Sequence, residues 1–157
     1  MTGADDQQER LDANWIAGFV DGEGCFHVAI NKQPKAKLGW WVLPEFRIVQ
    51  HQRDERILRK IQAVFNCGKI RVNHGDRKEL RIRGIKDLNK IVQFFKKHKL
   101  HTTKRENFEK FSQIISMMNK KEHLTSEGLN RIAQLASQMN RQIKSKYLES
   151  SETIRRT

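Results

Sequence analysis

The sequence predicts an α+β fold, with antiparallel strands and helices packed on one face. Three observations lead there. Apolar residues recur at helical spacing in five stretches and at a period of two in four others. The stretches follow one another as α-β-β-α-β-β-α before the last helices. The period-two stretches come in neighbouring pairs, joined by a loop or turn with no helix between them, which suits antiparallel pairing.

Residues 1–10 are polar and read as a flexible leader. The first helix is expected from Leu11 to Asp21, with Leu11, Trp15, Ile16, Phe19 and Val20 as its apolar side. After Gly24 the period becomes two: Phe26, Val28 and Ile30 alternate with Cys25, His27, Ala29 and Asn31, a half-buried strand. Residues 32–39, with Pro34 and Gly39, form a basic loop. Trp40 through Gln50 is the second strand, with Phe46 and Ile48 toward the core and Arg47 outward. Pro44 within it implies an edge position or a bulge. One of Trp40 and Trp41 packs in the core and the other is free to flank a ligand.

Asp54 is placed as the N-cap of a helix striped by Ile57, Leu58, Ile61, Val64 and Phe65 and closed by Asn66-Cys67-Gly68. A hairpin follows. Ile70 and Val72 alternate with Lys69, Arg71 and Asn73; the turn falls at residues 74–77; Leu80 and Ile82 alternate with Glu79, Arg81 and Arg83. One hairpin face is aliphatic and the other strongly cationic, where a merely solvated face mixes signs. Asp87 opens a third helix with Leu88, Ile91, Val92 and Phe95 as its stripe. Thr103 and Glu106 have the spacing of a capping box and open a fourth, with Phe108, Phe111, Ile115 and Met118. Thr125 or Ser126 starts a fifth, with Leu129, Ile132, Ala133, Ala136 and Met139. From Arg141 the chain reads as a loose basic tail.

A chain of 157 residues is one domain, or a small domain with an appendage. The net charge is +13, unevenly spread: residues 1–24 hold six acids and one base, and the remainder 30 bases and 12 acids. A body that basic is an electrostatic footprint for nucleic acid. No apolar run is long enough to span a bilayer, and the start does not read as a secretory signal. The two cysteines, Cys25 and Cys67, fit neither a disulfide framework nor a zinc site, and suit a reducing compartment.

The stretch Ile16-Ala17-Gly18-Phe19-Val20-Asp21-Gly22-Glu23-Gly24 carries the chemistry. Gly18 and Gly22 lie four apart and share one helical face, where a second backbone, including a second copy of the same helix, can come close. Asp21 and Glu23 fall at the negative end of the helix dipole. A cation should offset them, and a divalent metal such as Mg²⁺ suits carboxylates and helix-end carbonyls.

Residue by residue, this stretch resembles the LAGLIDADG motif of homing endonucleases, the DNA-cutting enzymes encoded in mobile introns and inteins. The one departure is Glu23, where Asp is the commoner family residue. The resemblance covers residues 11–120 and implies a core with a saddle-shaped antiparallel sheet; residues 121–157, a further helix and a basic tail, lie outside it. It implies that Gly18 and Gly22 form a dimer interface, and that Glu23 is the metal-binding catalytic acid with the Gly22 carbonyl as a second ligand. Gln50 matches the family's water-positioning Gln. Lys104 matches its basic residue, with Thr102 and Arg105 as competitors. The family often carries a further basic residue soon after its Gln; here Arg53 and Arg56 stand there, flanked by Asp54 and Glu55. The single motif implies a homodimer on a long, roughly palindromic duplex DNA.

Base contacts are then expected from the outward strand residues His27, Asn31, Arg47, Lys69, Arg71, Asn73, Glu79, Arg81 and Arg83. Lys32, Lys35 and Lys37 are expected to meet phosphates or flanking bases. The implied reaction is metal-dependent phosphodiester hydrolysis. Rivals are an intron RNA maturase, a non-cleaving DNA-binding regulator, and a basic module such as an rRNA-binding protein. The compartment is open among organelles, bacteria and archaea; the acidic leader does not resemble a transit peptide.

Overall fold

In a computed structural model of the chain, residues 10–140 and 144–150 are described. The elements run α1 (Ala13–Glu23), β1 (Gly24–Lys32), β2 (Trp40–His51), α2 (Glu55–Phe65), β3 (Lys69–His74), β4 (Arg77–Arg83), α3 (Ile85–Lys97), α4 (Lys104–Asn119) and α5 (Ser126–Ser137). Three-residue 3-10 turns stand at Gln52–Asp54 and Glu122–Leu124. The four strands form one antiparallel sheet in the order β1-β2-β4-β3. This is the predicted α+β class and element order. The expected leader, apart from Arg10, and the tail positions 141–143 and 151–157 lie outside the described residues. No helix among the described residues is long and apolar enough to cross a membrane.

The period-two pattern sorts the sheet into two faces. Phe26, Val28 and Ile30 on β1, Val42, Phe46 and Ile48 on β2, and Leu80 and Ile82 on β4 are all buried beneath the helices. Phe26 is the hub: its ring lies 5.0 to 5.6 Å from those of Phe46, Phe95, Phe108 and Phe111. Leu129, Ile132, Ala133 and Met139 belong to the same buried cluster. Asn140, just after α5, donates from Nδ2 to the Phe26 carbonyl at 2.7 Å.

Several local expectations are corrected. Helix α1 starts and ends two residues later than the apolar spacing suggested. Asp12, not an earlier residue, caps it, accepting the Asn14 and Trp15 amides at 2.9 and 3.1 Å. Glu23 is therefore its last residue. Pro44 lies in an interior strand, not an edge strand, and pairs with Val28 in regular register. The strand tolerates it because pairing to β4 begins only at Glu45, so that side of β2 is unpaired at Pro44. The Asp54 side chain makes no capping bond; His51 Nδ1 instead accepts the Arg53 amide at 3.1 Å. Trp40 packs on the helix side, edge-on to Tyr147 at 5.4 Å, and Trp41 is exposed. On edge strand β3, Val72 is left exposed although its spacing marked it apolar.

Replacing the hub ring, Phe26→Ala, should lower stability by about 3–5 kcal/mol, read as the shift in a denaturant unfolding curve. A loss below about 1 kcal/mol would show that the ring cluster does not anchor this core.

Candidate active site and nucleic-acid interface

The site begins at the C-terminal end of α1, where the chain turns directly into β1 at Gly24. That turn needs a glycine. A Cβ at Gly24 would lie 2.6 Å from Val20 Cγ1 and 3.0 Å from the Val20 carbonyl oxygen. The last turn of α1 contains no basic residue of its own. Its acids are answered from elsewhere in the chain.

The two acids have different surroundings. Asp21 accepts the His101 amide at 2.9 Å, the Thr102 amide at 3.1 Å and the Thr102 hydroxyl at 2.8 Å. Burial pushes its carboxyl up, but those hydrogen bonds and the nearby His101 outweigh it and hold the pKa below the ordinary value. Asp21 is thus bound by the segment that leads into α4, and the expectation that both acids await a cation is corrected for this residue. Thr102 Oγ1 in turn accepts the Lys104 amide at 3.2 Å. Thr103, expected to lead a capping box, makes no side-chain cap bond.

Glu23 is exposed and faces a different set of groups. Gln50, near the end of β2, donates from Nε2 to Glu23 Oε2 at 3.2 Å. Lys104 Nζ donates to the Gly24 carbonyl beside it. Of the three competitors, Thr102 is bonded to Asp21 and Arg105 pairs with Glu109 at 3.4 Å, whereas Lys104 reaches the helix end. Lys78, the register partner of Gln50, is paired with Glu55 at 3.5 Å. Arg53 and Arg56 are exposed.

Donors at this corner are oxygens: the Glu23 carboxylate and the carbonyls of the last turn of α1, including Gly22, which have no amide four residues on within the helix. That set fits a hard divalent cation. Among the described residues no group of three or more His, Cys, Asp or Glu gathers to hold a metal. Gly18 and Gly22 stand in open space, with nothing within 4 Å of where a Cβ would be. Beside them Trp15, 46% exposed, stacks on Phe19 at 5.1 Å.

The sheet face away from the helices carries the other candidates. The register sets them in rows: His27, Glu45 and Arg83; then Cys25, Arg47, Arg81 and Lys69; then Val49, Glu79 and Arg71. Asn31 pairs with Trp41 toward the far end, where Lys32, Lys35 and Lys37 are exposed at the β1–β2 loop. Asn73 lies in the bulge of β3, between Val72 and His74, and donates from Nδ2 to Glu79 Oε2 at 3.1 Å. Burial lowers the His27 pKa, the Glu45 charge raises it and Arg47 lowers it, for a net decrease. Glu45 was missed, although it shares the outward parity of Arg47.

Fold and site together define a class: α+β proteins in which a glycine-marked helix ends in a carboxylate at the edge of a basic antiparallel sheet. The chain belongs to the LAGLIDADG endonuclease family, whose profile matches residues 16–115. It is 36% identical over 147 residues to the probable intron-encoded endonuclease 2 of Neurospora crassa, covering 92% of this chain and 32% of that protein, so it spans about a third of that relative's length. The crystal structure of the homing endonuclease I-TnaI is similar at 46% identity and a TM-score of 0.83, over 93% of this chain and 97% of that one. The I-LtrWI LAGLIDADG homing endonuclease bound to target DNA is similar at 38% identity and a TM-score of 0.82, over 85% of this chain and 46% of that one.

The folded Asp21 carboxyl titrates below its ordinary value, so the unfolded chain binds the extra proton first. Its contribution is fully present above about pH 4 and is lost as pH falls through the depressed folded value. Asp21→Asn should therefore flatten the acid side of the stability profile, measured as unfolding midpoints between about pH 5 and 2. An unchanged slope would mean that the Asp21 charge does not hold the α4 segment.

Proposed function

We propose that the chain is a site-specific DNA endonuclease that works as a homodimer and hydrolyses phosphodiester bonds with a divalent cation such as Mg²⁺. The observation that carries this reading is the convergence of Glu23, Gln50 and Lys104 at one helix end, beside an open glycine face. A second α1 helix on that face would bring a second Glu23 close to the first, supplying the acid that one chain lacks. The spans of the comparison proteins support the pairing: this chain covers nearly all of I-TnaI but about half of I-LtrWI. The names of the fungal relatives support an intron origin for the gene.

Each group has a definable task. Glu23, with the Gly22 carbonyl, would hold the cation. When bound, the cation lowers the pKa of a water and stabilises charge on the leaving oxygen. The Gln50 amide fixes the Glu23 carboxylate in one orientation, and its carbonyl oxygen can accept from the attacking water. The Lys104 ammonium sets a fixed positive charge where the scissile phosphate would approach. The outer sheet face, with Arg47, Lys69, Arg71, Arg81 and Arg83, is the DNA surface, and its β3–β4 hairpin is a two-stranded ribbon of the kind the major groove admits. Lys32, Lys35 and Lys37 would meet phosphates, contributing affinity with little sequence information.

The reading is tested by incubating the protein with a random duplex library and Mg²⁺ and sequencing the new ends; one long site with two related half-sites, cut near its centre, is expected. Glu23→Gln should reduce cleavage about a hundredfold to a thousandfold, of the order seen when a central charge-stabilising group is removed, with DNA affinity changed only a few-fold. A variant cutting at the normal rate would remove Glu23 from the reaction. Gly18→Leu should convert the dimer to monomer in sedimentation equilibrium, since the new side chain would hold the helices apart. A wild-type monomer at the concentration that cuts DNA would overturn the two-fold arrangement.

A further inference from the structure

The outer sheet face carries two acids that a DNA-binding surface would ordinarily avoid. Glu45 and Glu79 are 7% and 5% exposed, the two charged or polar residues buried among those described. A buried carboxylate is costly unless paired and hydrogen-bonded. Both are paired with an arginine, Glu45 by a hydrogen bond and Glu79 by a looser ion contact. Arg83, the cross-strand partner of Glu45, donates from Nε to Glu45 Oε2 at 2.8 Å. Arg71, the cross-strand partner of Glu79, lies with Nε 3.5 Å from Glu79 Oε1. The second oxygen of each acid is also engaged, Glu45 Oε1 near Arg47 Nη1 at 3.8 Å and Glu79 Oε2 by Asn73 Nδ2 at 3.1 Å.

Contact through Nε leaves the terminal nitrogens of each guanidinium without a bond to the described residues. The arginine side chains remain 57% and 51% exposed, while their acids sit in the floor of the sheet. A free arginine on a strand samples many rotamers and loses that entropy on meeting a base. An arginine held along one edge points its fork one way before DNA arrives. Two parallel N–H donors in a fixed plane match the O6 and N7 acceptors of guanine.

Building on the DNA-binding reading above, we propose that Glu45 and Glu79 are positioning residues for specificity: each fixes one arginine, Arg83 or Arg71, so that its terminal fork selects guanine at a separate position of the half-site. Glu79 then acts through Arg71 and Asn73 and touches no base itself. Both acids weaken general attraction to the phosphates, exchanging affinity for discrimination.

The test is a binding and cleavage profile over every single-base substitution of the selected site. It is run on wild type and on the near-isosteric Glu45→Gln and Glu79→Gln, with non-specific affinity followed against salt. Each variant is expected to lose about tenfold of its discrimination, within the range for one bidentate base contact, at one guanine position and not elsewhere. Non-specific binding should tighten, because a negative charge has gone. Should a glutamine variant unfold, Arg83→Lys and Arg71→Lys test the same point: the charge stays but the planar fork is lost. These should lose the guanine preference while keeping the wild-type salt slope. In Arg83→Lys, adding Glu45→Gln should cost no further discrimination. Sharp wild-type preferences that all these variants retain, or a loss spread evenly over the site, would overturn the inference alone. A wild type with no sequence preference would overturn the DNA reading and this inference with it.

Discussion

The Asp21 carboxylate joins two parts of the chain that lie eighty residues apart in sequence. At the C-terminal end of α1 the helix dipole disfavours it. Two backbone amides and a hydroxyl reverse that balance, because charge-assisted hydrogen bonds are the stronger kind. The His101–Thr102 segment is held against α1, and α4 therefore starts where Lys104 can reach the Gly24 carbonyl. With Gln50 delivered by β2, the acid of the neighbouring position acquires its surroundings from three separate elements. The two acids, two residues apart, thus differ: Asp21 is held by the segment before α4, and Glu23 is left exposed beside Gln50.

The sheet imposes the second division. Because successive strand residues point to opposite faces, a chain that buries Phe26, Phe46 and Ile82 must present His27, Arg47 and Arg81 on the other side. The core thereby fixes the spacing of the cations. Acids of the same parity lie among them: Glu45 and Glu79 stand in rows on either side of Arg47, Arg81 and Lys69. A surface with net positive charge thus contains fixed, internally paired groups as well as free ones, a combination that separates general attraction to a polyanion from the geometry of individual contacts.

Much of this was legible in the residues. The strand alternation marked the faces, the turn within residues 74–77 marked the hairpin, and the nonapeptide marked the helix that bears the acids, though it ends at Glu23 and not at the expected Asp21. Other features were hidden for physical reasons. Pro44 suggested an edge because a missing amide is harmful in a ladder, but the harm depends on where the neighbouring strand ends, and β4 stops at its partner position for Glu45. Thr103 and Glu106 had the spacing of a capping box, yet the neighbouring hydroxyl of Thr102 receives the α4 amide because Asp21 holds it there. Trp15 looked like core by spacing, but it is left 46% exposed on a flank of α1, stacked on Phe19.

What the sequence determined by itself was periodicity, charge and one motif: which segments are helices and strands, which face of each is apolar, and which helix bears the acids. These follow from local rules, since side-chain direction in a helix or strand repeats with a fixed period. Only the tertiary structure decided which distant groups meet. That Lys104 rather than Arg105 reaches the end of α1, that Asp21 accepts amides while Glu23 accepts Gln50, and that Arg83 and Arg71 rest against buried acids all depend on register and helix placement. Hydrogen bonds of about 3 Å are sensitive to displacements far smaller than a residue, and no count along the chain resolves them.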